Sequence, residues 1–345
     1  MIHAWLADTW QRLITLGDRL PHALLFTGPA GLGKRDLAEA LAARLLCPTP
    51  GPDGHACGRC GACTLRLAGN HPDLIMLVPA AESTPEPDGK EGDDAPAKAK
   101  STQIVIEQVR DVQKVLAVTG HQSSRRVVVV DPAEAMNLFT ANALLKLLEE
   151  PPEACVFILV SSAPRRLLPT IRSRCQQWAF GRPSGATLAA YAAEVDAGRR
   201  ALLALNGGMP LAAERAAERG SVAVLTRFVR DVAQLPQADP LKIAGQWDAW
   251  LKSKEALSAG FGMVQLADWM QRWVTDLAMT RLGGRARYFP AQAEVFVALA
   301  ARTDVARATN CYNDFASIRR VAHHPLNPRL MLEDMLLRYV RTLSE

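Results

Sequence analysis

Apolar residues along the first half of the chain fall in two alternating patterns. Predicted strands lie at Ala23–Thr27, Leu74–Val78, Val127–Asp131, Val156–Ser161 and Gln176–Phe180, and the middle ones are nearly continuous apolar runs. The middle runs carry no polar face, as expected of parallel strands covered on both sides. Between them lie segments of helical period at Lys34–Leu46, Ile104–Val118 and Thr140–Glu149. The last ends at Pro151-Pro152, which cannot continue a helix. Alternation of this kind predicts a parallel α/β domain. After Arg182-Pro183 the strand pattern stops. Residues 184 to about 235 read as a small helical unit, punctuated by Asn206-Gly207-Gly208-Met209-Pro210. Pro236 and Pro240 mark a second boundary, and the chain from Leu241 onward reads as all-helical. Trp247, Trp250, Trp269 and Trp273 repeat at helical spacing there, which fits a packed core or a subunit interface better than a base-stacking stripe.

Two stretches interrupt the α/β pattern. Residues 47–71 are rich in Cys, Gly and Pro, and residues 79–101 have almost no large apolar side chains. The second stretch is expected to be a disordered surface loop. No apolar run approaches the ~20 residues of a membrane span. The start, Met1-Ile2-His3-Ala4-Trp5-Leu6, lacks the basic residues and apolar length of a secretory signal, so a cytoplasmic location is expected. A formal net charge of +5 is compatible with nucleic-acid contact without requiring it.

The chemistry begins at Gly28-Pro29-Ala30-Gly31-Leu32-Gly33-Lys34-Arg35, between the first strand and the first helix. This is the strand–loop–helix setting of a G-x-x-x-x-G-K-[ST] phosphate-binding loop. Gly28, Gly31 and Gly33 let backbone N–H groups turn toward a phosphate, and Lys34 would pair with its terminal oxygens. The final position calls for a hydroxyl that ligates Mg²⁺, and Arg35 cannot supply one. Asp131 ends a buried strand where a Mg²⁺-holding carboxylate belongs, but Pro132 follows in place of a catalytic glutamate, and Glu134 lies further on. A simple helix-capping role for Asp131 also fits. Ser161-Ser162 at the next strand end suits a γ-phosphate sensor or an ordinary turn. Arg174 suits an arginine finger or a solvated helix end.

Cys57-x2-Cys60-x2-Cys63, with Cys47 upstream, offers four thiolates suited to a structural zinc with a closed ligand shell. The same spacing serves iron–sulfur clusters, although their common continuation to a downstream cysteine is missing. His55 and His71 stand near as further potential ligands. Cys155, Cys175 and Cys311 stand apart, and Cys155, beside an apolar strand, reads as a small buried hydrophobe.

The order of these pieces resembles AAA+ clamp-loader subunits of bacterial DNA polymerase III. The matching blocks are Pro21-His22-Ala23-Leu24-Leu25-Phe26-Thr27-Gly28-Pro29, the four-cysteine knuckle, and Val105 with Val109-Arg110. They continue with Ala141-Asn142-Ala143-Leu144-Leu145-Lys146-Leu147-Leu148-Glu149-Glu150-Pro151-Pro152 and Ser173-Arg174-Cys175. They fall in family order over residues 1 to about 180, and the helical remainder matches in length and type. The resemblance implies an AAA+ P-loop core over 1–181, with a zinc module at 47–71 and a flexible loop at 79–101 inserted in it. A helical lid over 182–236 and a helical collar over 237–345 would follow. It implies a ring of five with gamma/tau and delta subunits that loads the sliding clamp on primed DNA within the polymerase (nucleotidyltransferase) holoenzyme. Arg174 would then be a finger offered to a neighbouring gamma/tau ATP site. Arg35, Pro132 and Pro210, the last standing roughly where gamma/tau lids carry a sensor arginine, favour a subunit that does not hydrolyse ATP. Residual weak nucleotide binding at Gly28, Gly31, Gly33 and Lys34 is compatible with that reading. A gamma/tau-type motor is the alternative.

Overall fold

In the computed structural model, the described residues are 2–81, 101–117, 123, 125–322, 324 and 326–343. The chain divides into two compact units, Met1–Arg182 and Pro183–Glu345.

The first unit is a sheet clothed in helices. Its elements are α1 (Ala7–Leu16), β1 (Ala23–Thr27), α2 (Lys34–Leu46), α3 (Gly61–Leu67), β2 (Leu74–Leu77) and α4 (Ile106–Ala117). They continue with β3 (Arg126–Val130), α5 (Leu138–Glu149), β4 (Cys155–Ser161), α6 (Pro169–Arg174) and β5 (Gln176–Ala179). The strands run parallel in the order β2-β3-β4-β1-β5. Every residue of β1, β3 and β4 is buried, which is why these strands are apolar except at their ends, where Thr27, Arg126 and Ser161 stand. β5 lies at an edge, and its Gln176 and Gln177 are exposed. Asn137 starts α5 as a true cap, its Oδ1 accepting from the Thr140 N–H at 2.9 Å. Loop, strand ends and helix starts thus gather along one edge of a parallel sheet, the AAA+ P-loop arrangement that the resemblance implies.

The described ends of the 79–101 stretch meet, with Ala81 N donating to the Ser101 carbonyl at 2.9 Å. The expectation of disorder within it falls on 82–100, outside the described residues.

The second unit is helical: α7 (Gly185–Glu194), α8 (Ala197–Leu205), α9 (Pro210–Glu218), α10 (Ser221–Gln234), α11 (Pro240–Leu251), α12 (Lys254–Ser258), α13 (Met263–Arg281), α14 (Ala293–Ala300), α15 (Val305–Val321) and α16 (Pro328–Thr342). The tryptophan stripe is core: Trp247, Trp250 and Trp273 are at most 1% exposed and Trp269 is 9%. Phe228 of α10 packs edge-on against Trp273 and Trp269, so segments on both sides of the 236/237 boundary share one hydrophobic cluster. Truncating one of these rings to alanine would cost about 3–5 kcal/mol. Asp276, fully buried in α13, accepts the backbone N–H groups of Arg287, Tyr288 and Phe289 at 2.7–2.8 Å and so fixes the turn after α13. Burial raises its carboxyl pKa against these three donors.

Candidate functional site

The loop after β1 turns on glycines with positive φ. Gly31 and Gly33 take φ of +81° and +83°. Gly28 lies so close to the edge strand that a Cβ there would stand 2.4 Å from the Phe180 carbonyl.

The charged residues of this loop, however, bind the chain itself. Lys34 is 4% exposed. Its Nζ donates to the carbonyls of Gly28 at 2.8 Å and Pro29 at 2.7 Å, and to Ser162 Oγ at 3.0 Å. Three partners use the three N–H groups of an ammonium. Burial lowers the Lys34 pKa, against the pull of the Glu134 and Asp131 carboxylates. Ser162, a candidate phosphate sensor in the sequence, therefore faces the chain's own lysine.

Arg35 takes a similar course. Its Nε lies 3.0 Å from Glu39 Oε1 and 3.6 Å from Asp131 Oδ2. The cationic side chain in the hydroxyl's position thus stands beside the carboxylate that would hold a divalent cation. Asp131 is not the cap of the short turn that follows, whose N-cap is Pro132. Glu134 is brought in from its displaced position: its Oε1 accepts from the N–H groups of Ser162 at 2.9 Å and Ala163 at 3.1 Å. Pro210 begins α9.

A second cover on the loop was not visible in the sequence. Trp5 Nε1 donates to the Leu32 carbonyl at 2.9 Å, and His3 Nε2 lies 2.7 Å from Asp36 Oδ2. The two rings stack, with centroids 4.9 Å apart. A tryptophan N–H aimed at one carbonyl has no pattern in the sequence that would betray it.

Arg174 ends α6 on the surface, with Nη2 2.5 Å from Glu149 Oε1 at the end of α5. Its Nη1 donates to the Thr170 carbonyl at 3.2 Å. It lies in the same unit as the loop, but none of its contacts reaches Lys34 or Arg35.

Cys47, Cys57, Cys60 and Cys63 converge, with all four Sγ atoms within 4.8 Å of one another. Cys47 and Cys60 lie 3.9 Å apart, and Cys57 and Cys63 lie 4.0 Å apart. A tetrahedral centre with metal–sulfur bonds of ~2.3 Å needs its sulfurs about 3.8 Å apart. Backbone N–H groups of Cys57, Cys60 and Cys63 point at the sulfurs of Cys47, Cys57 and Cys60 at 3.3–3.5 Å, which favours thiolates. The Cys57 thiol is held down at about 5, first by the Arg59 backbone N–H, while burial pushes Cys63 up to about 12. The four cysteines could hold one metal ion.

His71 takes no part in this cluster. It is buried and sits with Ser123 and Asp73 in what at first resembles a nucleophile–base pair. Its Nδ1 accepts from the Asp73 backbone N–H at 3.1 Å, so Nε2 carries the proton and donates to Ser123 Oγ at 3.3 Å. With its acceptor nitrogen occupied, the imidazole cannot take a proton from Ser123. The group ties residue 123 to the start of β2.

Residues 5–184 match the family model described as DNA polymerase III, delta subunit. A Pseudomonas aeruginosa protein named DNA polymerase III subunit delta' is 40% identical over 257 residues, covering 72% of each chain. A Haemophilus influenzae protein of the same name is 30% identical over 288 residues, covering 81% of this chain and 78% of that one. A Mycobacterium tuberculosis protein named DNA polymerase III subunit gamma/tau is 36% identical over 162 residues, 47% of this chain but 25% of that one. The chain belongs to the DNA polymerase III delta-prime subunit family.

Proposed function

We propose that this chain is the non-hydrolysing member of a cytoplasmic clamp-loading ring, built with gamma/tau and delta subunits, that places the sliding clamp on primed DNA. The observation that carries the reading is the engagement of Lys34 and Arg35 by their own chain. A phosphate would have to displace three partners from Lys34, and a Mg²⁺ ion would have to share Asp131 with a guanidinium. Hydrolytic parts act as a unit, each worth orders of magnitude in rate, so a site lacking its hydroxyl and its catalytic glutamate is silent. Nucleotide at Gly28, Gly31, Gly33 and Lys34 is weak or absent. The chain then contributes Arg174 to a neighbouring gamma/tau site, and residues 182–236 and 237–345 serve as lid and collar. Zinc is the ion assigned to Cys47, Cys57, Cys60 and Cys63. All four protein ligands fill its shell, so its role is structural.

Phosphate release by the purified chain, with ATP and Mg²⁺, tests the central claim. Turnover is expected at background and unchanged in Lys34→Ala. Turnover that Lys34→Ala abolishes would make the chain a gamma/tau-type motor instead.

A further inference from the structure

Glu149 is the last residue of α5, directly before the Glu150-Pro151-Pro152 stop. A carboxylate in the last turn faces the negative end of the helix dipole, so the position does nothing for α5 itself. What it does meet is Arg174, at 2.5 Å, across the packing of α5 on α6. The other anchor of the guanidinium is the Thr170 carbonyl, one turn back in α6 at 3.2 Å. The backbone beneath is fixed as well, because Ile171 is fully buried and Cys175 is 7% exposed. The arginine side chain remains 36% exposed. The two anchors each take one N–H of a different terminal nitrogen, and among the described residues Nε–H and the second N–H of each terminal nitrogen are left to face a ligand.

We propose that Glu149 is a positioning residue for Arg174, holding its guanidinium in the orientation that a phosphoryl group on an adjacent subunit meets; this rests on the reading of Arg174 as a finger. A half-exposed arginine samples many rotamers. Charge delivered to a transition state counts only in the geometry that reaches it. An anchor on a second helix narrows that sampling while leaving donors for the phosphoryl oxygens.

The test uses the reconstituted clamp loader carrying this chain as wild type, Arg174→Ala, Glu149→Gln, Glu149→Asp or the double variant. ATP turnover is measured with clamp and primed DNA, and assembly is checked by mass. Arg174→Ala is expected to lower kcat with the complex intact. Glu149→Gln is expected to lower kcat by about 2- to 5-fold, the range an ion pair of this exposure supports. KM for ATP should stay unchanged, Glu149→Asp should recover part of the loss, and the double variant should be no slower than Arg174→Ala. Added salt should narrow the gap between wild type and Glu149→Gln, because the pair is screened. If Arg174→Ala slows the complex while Glu149→Gln does not, or adds to it, the positioning role is overturned and the finger stands. A faster Glu149→Gln complex would also overturn it, marking Glu149 as a competitor that masks the arginine. If Arg174→Ala changes nothing, the finger reading itself falls.

Discussion

Arg35 is the residue at which the loop departs from a working phosphate site, and its surroundings define what removing it would do. Its guanidinium makes a half-exposed pair with Glu39 and a looser one with Asp131. Such pairs contribute at most about 1 kcal/mol, so Arg35→Thr should leave the melting temperature nearly unchanged. The new hydroxyl and the freed Asp131 together restore a place for Mg²⁺. Weak Mg²⁺-dependent binding of a fluorescent nucleotide is therefore expected in Arg35→Thr. Phosphate release should stay at background, since Lys34 remains tied to Gly28, Pro29 and Ser162 and Pro132 still follows Asp131. Lys34-dependent turnover in the Arg35→Thr chain would mean that one arginine had been the sole silencer.

At the scale of elements, the cysteine module makes the sharpest claim. Residues 47–71 hold one short helix, α3, whose N-cap is itself a ligand candidate, Cys60, its Sγ accepting from the Cys63 N–H. With so little apolar side chain of its own, this segment would draw its fold from the zinc proposed for its four cysteines. Chelation, or Cys60→Ser, is expected to lower the melting temperature and increase proteolysis within 47–71, while β1 and α2 keep their hydrogen-exchange protection. Metal analysis of the native protein should return one zinc per chain. A protein that is metal-free and equally stable would remove the premise. Elsewhere the elements were largely legible in the sequence. β1 and α2 run over the residues expected, and β2 to β5 differ by a residue or so at their ends; for β1, β3 and β4 burial on both faces leaves an unmistakable apolar run. α1 was not expected: Leu6, its N-cap, has no side-chain acceptor to announce a helix start. The pairings that decide the site were hidden for another reason. Lys34 with Ser162, Arg35 with Asp131 and Arg174 with Glu149 each join residues distant in sequence, and periodicity says nothing about which charges meet.

Across the whole molecule, the three cysteines outside the cluster link both units to pH. Cys155 and Cys175 lie in the first unit and Cys311 in the second. Burial pushes their thiols up, Cys155 to about 11 and the other two to about 12. In an unfolded chain a cysteine titrates near ~8.5. Below that pH both states hold the proton and the shift costs nothing. Above it the unfolded chain releases the proton and the folded chain keeps it. Stability is then lost as pH rises from ~8.5 toward the folded values, by about 1.4 kcal/mol per pH unit for each thiol. Melting temperatures measured from pH 8 to 10.5 should fall along this window, and Cys311→Ala should show a shallower fall than wild type. The same burial predicts that Cys155, Cys175 and Cys311 resist alkylation at pH 8 in the native protein and react once urea unfolds it. Mass spectrometry of the alkylated peptides gives the answer unit by unit. Labelling of Cys155 or Cys175 without Cys311 would place the opening in the α/β unit alone, the reverse would place it in the helical unit, and native labelling of all three at the unfolded rate would contradict the burial on which the pH dependence rests.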